Sequence, residues 1–393
     1  MFYAPTRIVF GRDAENKAGE LVKENGGSRV FLVFGGSSAL KSGLVEKVES
    51  SLQEAGLCFV RFGGAKPNPT LSHAEEGVRK AISFGADFFL AIGGGSAIDT
   101  AKAIAHGAAN PETELWDLWT KKVRLKKTYP VAAVLTIAAA GSEMSDSAVL
   151  TNESTGKKAG INTELNRCRF ALMNPQYLST LPKYQLAAGI TDIMMHTMER
   201  YFIPDIKCDL TDEIAEGLLR TVIKNGRLAL KNEEDYDAMG EIMWCSSLSH
   251  NGLTECGRGR DFSVHKLGHA LSAKYDFTHG ATLSAVWGSW AEYLYRDALP
   301  RFAGYARSVF GVAISDDQKA AEEGIRRTVD FFREIGMPVC LEGLGIKPSD
   351  SDLTELAMNA TMQDTVRLSR IRPLGAEEVK EIYRMAETER KEI

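Results

Sequence analysis

The apolar positions of this chain change their period about half-way along it. Up to residue 180, short runs rich in β-branched and aromatic residues at 29–34, 57–62, 87–92 and 131–135 alternate with amphipathic stretches, which predicts strands alternating with helices. The helices have legible ends: Asp13 and Gly26 bracket one, Ser42 and Gly56 another, Thr70 and Gly85 a third. Such alternation predicts a parallel sheet covered by helices, with its ligand at the carboxyl ends of the strands. After Leu181-Pro182 the apolar residues recur at helical spacing through 185–202, 211–230, 237–250 and 262–272, and again from Ala281. The expected organisation is an α/β domain over residues 1–180 and an all-α domain over residues 181–393.

Length and composition sharpen this without changing it. A chain of 393 residues exceeds what one core usually organises, and 44% hydrophobic with 25% charged residues is ordinary globular content. The net charge of −5 provides no basic footprint for nucleic acid. The one basic cluster, from Lys121 to Lys127, reads as a solvated loop. No segment reaches the roughly 18 apolar residues of a membrane span, and the N-terminus lacks a signal-peptide core. Six scattered cysteines without a Cys-x-x-Cys pair fit a reducing cytoplasm, and argue against a disulfide scaffold or a thiolate zinc site.

Two glycine-rich turns carry the first candidate chemistry. The run Asp87 to Ile92 leads straight into Gly93-Gly94-Gly95-Ser96, with a helix expected from Ala97. A strand-to-helix turn of this kind lets backbone N–H groups and a helix N-terminus meet a pyrophosphate. It lacks the Gly-x-Gly-x-x-Gly fingerprint, and a plain tight turn, with Ser96 as N-cap and Asp99 closing a capping box, explains it equally well. Asp99 and Lys102 fall on the first turns of that helix. The other turn, Phe34-Gly35-Gly36-Ser37-Ser38, has small residues where an NAD site usually carries a carboxylate for the ribose 2′-hydroxyl, and Lys41 follows. That composition can admit a 2′-phosphate and points to NADP rather than NAD.

The histidines supply the second candidate. Of seven in the chain, His265 and His269 stand four apart, His279 follows ten residues later, and Asp192 and His196 repeat the four-residue spacing. Residues four apart share a helix face, so each pair can aim at one point. Three imidazoles and a carboxylate suit a divalent ion such as Fe²⁺ or Zn²⁺. Five candidates exceed four positions, and a catalytic ion keeps one position open, so one histidine is free to carry protons. His250, at another helix end, reads as structural. Met195, Met198, Trp244, Phe262 and Trp287 hint at an apolar pocket, although ordinary helical core is the preferred reading.

Taken together these motifs resemble the iron-containing (group III) alcohol dehydrogenases, in particular their butanol dehydrogenase-like, NADP-preferring branch. Pro67-Asn68-Pro69-Thr70 resembles the family's loop before the third helix, and the segment from Gly93 to Lys102 its pyrophosphate motif. Gly141-Ser142-Glu143-Met144 resembles the end of its Thr-rich segment, and the histidine windows its ligand signature in order and spacing. The resemblance implies a Rossmann-like parallel sheet plus a helical domain, as in dehydroquinate synthase. It implies metal ligands at Asp192, His196, His265 and His279, with His269 beside them. Implied cofactor contacts are Gly36, Ser37, Ser38, Asn68, Gly94, Gly95, Ser96, Asp99, Thr136, Ser142 and Lys158. His269 and Asp99 are the candidate catalytic groups. One departure stands out: the family's Thr-Thr-x-x-Thr-Gly-Ser-Glu is Thr136-Ile137-Ala138-Ala139-Ala140-Gly141-Ser142-Glu143 here, two hydroxyls short.

The implied function is hydride transfer between NADP(H) and a short- or medium-chain primary alcohol or aldehyde, assisted by Fe²⁺ or alternatively Zn²⁺. A cytoplasmic homodimer without nucleic-acid or membrane partners is expected. Three rivals remain at this stage: a glycerol dehydrogenase-like polyol enzyme using zinc and NAD, a dehydroquinate synthase-like lyase, and a catalytically silent binding protein.

Overall fold

The computed structural model describes residues 2–204 and 206–389. It comprises two compact units, Tyr3–Thr180 and the chain from Leu181 onward together with Phe2.

The first unit is built on eight strands: β1 (Arg7–Phe10), β2 (Arg29–Phe34), β3 (Cys58–Phe62), β4 (Phe88–Gly93), β5 (Val131–Leu135), β6 (Ser147–Asn152), β7 (Lys157–Asn162) and β8 (Phe170–Met173). Six form a parallel sheet in the order β1-β8-β5-β4-β2-β3, and β6 pairs with β7 in a separate antiparallel ribbon. β2, β4, β5 and β8 are buried almost throughout, as expected of central parallel strands covered on both faces. Val30, Leu32 and Phe34 of β2 share one core with Phe88, Leu90 and Ile92 of β4 and with Leu44, Val45 and Val48 of the helix Leu44–Glu54. The connection after β2 runs outward to β3, whereas that after β4 runs the other way to β5. The order therefore reverses between β2 and β4, and the turns after these two strands flank the crevice such a reversal opens.

Four strands escaped the sequence reading. β1 and β8 have only four residues each, too short for a period to register. β6 alternates half-exposed and buried positions, while β7 has one buried position and is otherwise exposed or half-exposed, and the two flank a turn with Gly156 at φ 63°. The helix expected from Ala97 starts earlier, at Gly95, with Gly94 rather than Ser96 as its N-cap and no side-chain cap. The stretch read as a single helix over 13–26 is broken, a 3₁₀ turn Ala14–Lys17 preceding Ala18–Glu24, whereas that bracketed by Ser42 and Gly56 is one helix, Leu44–Glu54, preceded by a separate short helix, Ser37–Lys41.

The second unit is helical. Its axis is the helix Lys183–Tyr201, buried without interruption from Leu186 to Tyr201. Around it pack the helices Asp209–Lys231, Tyr236–His250, Ser263–Tyr275 and His279–Leu294. A Cβ on Gly280 would lie 2.1 Å from the Ala188 carbonyl oxygen, so only glycine lets the start of that last helix touch the axial one. Ala188 is one turn before Asp192, so this close approach delivers His279 to the axial carboxylate.

Candidate functional site

Asp192 and His196 lie on consecutive turns of the axial helix, His265 in the first turns of Ser263–Tyr275, and His279 opens His279–Leu294. Their side chains converge on one atom. Asp192 Oδ1 lies 3.4 Å from His196 Nε2, 3.5 Å from His265 Nε2 and 3.7 Å from His279 Nε2. Ligand atoms about 2.1 Å from a tetrahedral ion stand about 3.4 Å apart, so these are the edges of a coordination shell. Ligand atoms of Asp192, His265 and His279 all lie within 4.8 Å of one another. Asp192 Oδ1 and His265 Nε2 are buried and make no hydrogen bond among the described residues. A cation between two such groups would satisfy both, and the donors fit a divalent ion.

The electrostatics agree. Burial alone would raise the Asp192 pKa, yet the surrounding imidazoles, His279 foremost, hold it below the usual carboxylate value. Burial, then His250, His265 and Arg200, press His196 well below its ordinary value, so its ring is neutral and able to coordinate. At His265 burial opposes the charge, but Glu199 and Asp192 overcome it and raise the pKa to about 9. His269 lies one turn beyond His265 with its ring centroid 6.1 Å away, half-buried.

At the carboxyl edge of the sheet, the turns after β2, β4 and β5 gather the other candidates. Gly36 is exposed, and a Cβ there would meet nothing within 4 Å. Its smallness serves no packing need and leaves room for a ligand. The side chains of Ser37 and Ser38 lie outside the described residues. Gly94 and Gly95 begin the helix Gly95–Ala109, where free N–H groups suit a pyrophosphate. A Cβ on Gly94 would come within 2.8 Å of Ile137, and one on Gly95 within 3.1 Å of Ser142 Oγ. Thr136 follows β5 and donates its N–H to the Gly93 carbonyl at 3.1 Å. Lys158 Nζ on β7 donates to Asn68 Oδ1 at 2.9 Å, and Asn68 holds a left-handed φ of 56°.

Asp99 does not close a capping box. Its Oδ2 accepts the Val149 N–H at 2.9 Å, tying the helix to β6, and Oδ1 lies 3.8 Å from Lys102 Nζ. Burial raises the Asp99 pKa against the pull of Lys102. Lys102 is fully buried and donates to the carbonyls of Ser142 and Ser147, both at 2.8 Å, so it braces the segment that carries Ser142.

With this geometry in view, the comparisons with known proteins are decisive. The model of iron-containing alcohol dehydrogenase matches residues 5–175, and that of the C-terminal part of the Fe-containing alcohol dehydrogenase family matches residues 186–387. The chain belongs to the iron-containing alcohol dehydrogenase family. It is similar to NADH-dependent butanol dehydrogenase A of Clostridium acetobutylicum, 37% identical over 97% of each chain. It is also similar to the NADPH-dependent aldehyde reductase YqhD of Escherichia coli, 34% identical over 88% of this chain and 89% of the relative. A solved structure, NADH-dependent butanol dehydrogenase A from Thermotoga maritima, matches with a TM-score of 0.94 at 34% identity over 99% of this chain and 98% of that one. This iron-type alcohol dehydrogenase is therefore an NAD(P)-dependent oxidoreductase acting on alcohols or aldehydes, and its family takes a divalent metal with a nicotinamide cofactor.

One side chain beside this cluster was missed from sequence. Glu199, 1% exposed, contacts His265 Nδ1 through Oε2 and accepts the His265 backbone N–H at 3.1 Å. Its signal was available, since 192, 196 and 199 share one helix face. His250, read as structural, stacks on His196 with centroids 4.0 Å apart and planes at 22°. Among the apolar candidates, Met195, Met198 and Trp287 are wholly buried core and Trp244 is 39% exposed. Phe262 meets the histidines, edge-on to His196, His250 and His265 at 5.7, 6.0 and 5.0 Å.

Proposed function

We propose that this chain reversibly reduces short- or medium-chain aldehydes to primary alcohols, using NADP(H) and one divalent metal, Fe²⁺ by preference and Zn²⁺ as the alternative. The observation that carries it is the convergence of His196, His265 and His279 on Asp192 Oδ1. The printed activities of the relatives, butanol dehydrogenase and aldehyde reductase, support the substrate class.

When bound, the metal supplies Lewis-acid polarisation of a carbonyl oxygen and the nicotinamide supplies hydride. The chain's own work is to hold both. Asp192, His196, His265 and His279 hold the ion. The amides of Gly94, Gly95 and Ser96 hold the pyrophosphate, and Thr136, Ser142, Asn68, Asp99 and Lys158 are assigned to the remaining cofactor contacts. His269, half-buried beside the ligands, carries the proton to the product oxygen. NADP over NAD rests on the turn after β2, which has no acidic residue from Phe34 to Lys41 and offers open space at Gly36. The cytoplasmic homodimer rests on the family resemblance.

The test is purified protein, loaded anaerobically with Fe²⁺ or Zn²⁺ in turn and assayed with NADPH and NADH against a graded panel of aldehydes. Oxidation of NADPH by butanal or its neighbours, dependent on added metal, is the expected result. Metal-replete protein that oxidises neither cofactor with any aldehyde would overturn the reading. A preference for NADH would overturn the cofactor assignment alone.

A further inference from the structure

We infer that Glu199 is a positioning residue that selects the metal-binding tautomer of His265. The inference rests on the ligand set proposed above and adds a residue to its second layer. One Glu199 carboxylate grips His265 at two points: Oε1 accepts the backbone N–H at 3.1 Å, and Oε2 contacts ring Nδ1. Both side chains are buried, at 1% and 4% exposure. The Oε2 of a carboxylate whose Oε1 already accepts a backbone N–H is placed as an acceptor, which puts the proton on Nδ1. In the neutral ring the lone pair then belongs to Nε2, the nitrogen that faces Asp192 Oδ1 across 3.5 Å without a hydrogen bond.

The opposite tautomer would close the site. With its proton on Nε2, His265 would donate to Asp192 Oδ1, and two donor atoms would satisfy each other instead of an ion. In the neutral ring Glu199 disfavours this by offering Nδ1 an acceptor. The grip is itself braced, because the Glu199 carbonyl accepts the Asp261 N–H at 3.2 Å. The Asp261 carboxylate in turn accepts the N–H groups of Ser263 at 2.8 Å and Arg370 at 2.7 Å. The loop before the His265 helix is thereby fixed to the axial helix and to the segment around Arg370. Metal-bound histidines commonly hold their second nitrogen in this way.

The isostere Glu199→Gln makes the inference sharp. Its amide oxygen can keep the bond to the His265 backbone N–H, which turns the NH₂ group toward Nδ1. A donor there favours the proton on Nε2, inverting the tautomer in an otherwise unchanged fold. Zn²⁺ affinity, read by competition with a chromogenic chelator, is expected to fall roughly 10- to 100-fold. The variant's NADPH affinity should stay at the wild-type level. A merely structural glutamate would leave Zn²⁺ affinity unchanged, and that result would overturn the inference.

A second measurement does not depend on the variant folding. In the Zn²⁺-loaded wild type, ¹⁵N spectra of labelled histidine should show His265 protonated at Nδ1 and coordinated through Nε2, with His265→Ala assigning the signal. Coordination through Nδ1 would overturn the inference while leaving the ligand set standing. Wild-type protein that binds no Zn²⁺ would remove both.

Discussion

The rings of His269 and His279 lie side by side, centroids 5.0 Å apart and planes at 30°, yet the two residues stand differently to Asp192. His279 brings Nε2 to 3.7 Å from Asp192 Oδ1 and belongs to the group whose ligand atoms lie within 4.8 Å of one another. His269 sits on the flank of that group, one helical turn beyond His265. Under the proposed function His279 holds the ion and His269 moves a proton beside it. His279→Ala is expected to lose most of its bound metal and its activity together. His269→Ala should retain metal and lose about 10²- to 10⁴-fold in kcat, the usual worth of a positioned proton carrier. Metal content by mass spectrometry, measured with steady-state rates on the same samples, decides it. A metal-free His269→Ala protein would show that His269 is a ligand.

Metal binding should depend on pH with a definite sign. In the metal-free protein the His265 pKa is raised to about 9, because Glu199 and Asp192 outweigh the burial that opposes its charge. A pKa above the unfolded value of about 6.5 means that the protonated ring stabilises the fold fully below that value, and the gain is lost as pH rises through about 9. An incoming ion must displace this proton. Apparent Zn²⁺ affinity should therefore rise roughly tenfold per pH unit between about 6.5 and 9, and the thermal shift produced by Zn²⁺ should grow over the same window. Affinity flat across that window would show that no proton leaves His265.

What the chain disclosed in advance follows from how many residues each signal engages. β2, β4 and β5 announce themselves because both faces are buried and, Arg29 apart, no position carries a polar side chain. The four-residue spacings of the ligands are local helix geometry and need no tertiary knowledge. β1 and β8, by contrast, become strands only by pairing residue for residue across the fold, Arg7 with Phe170 and Phe10 with Met173. Asp99 looked like a capping residue because the helix start was placed two residues late. Its actual partner, the Val149 N–H, is 50 positions away. Glu199 was hidden for another reason: its partner, His265, already had a role, so nothing prompted a search for what holds it.

The turn after β2 makes cofactor preference directly testable. Gly36 has ordinary backbone angles and open space where a Cβ would project, so Gly36→Asp should fold without strain. A carboxylate there would repel a 2′-phosphate and offer an acceptor to a 2′-hydroxyl. The variant is expected to raise KM for NADPH at least about tenfold while KM for NADH holds or falls. Equal effects on both cofactors would mean that this turn does not meet the ribose.

His106 makes the sheet-bearing unit sensitive to acid, independently of the metal. Its ring is fully buried, with Nε2 2.7 Å from Asn166 Oδ1 and Nδ1 2.7 Å from Thr128 Oγ1. Asn166 commits its NH₂ group to the carbonyls of Asp146 and Ile161, so its oxygen accepts and His106 Nε2 carries the proton of a neutral ring. Burial is the chief cause that lowers the His106 pKa to about 4, with Lys102 adding to it and Asn166 opposing. Because the unfolded ring titrates near 6.5, the unfolded chain binds more protons between these values. The stability that depends on a neutral His106 is complete above about pH 6.5 and is lost as pH falls toward 4, roughly 3 kcal/mol in all. Carboxylates contribute an acid slope of their own, so the readout is a difference: urea midpoints of wild type and His106→Gln followed across this range. The variant should start less stable near neutrality and lose less on acidification, so that the two curves converge toward pH 4. Parallel curves would show that His106 takes up its proton in the folded chain as readily as in the unfolded one.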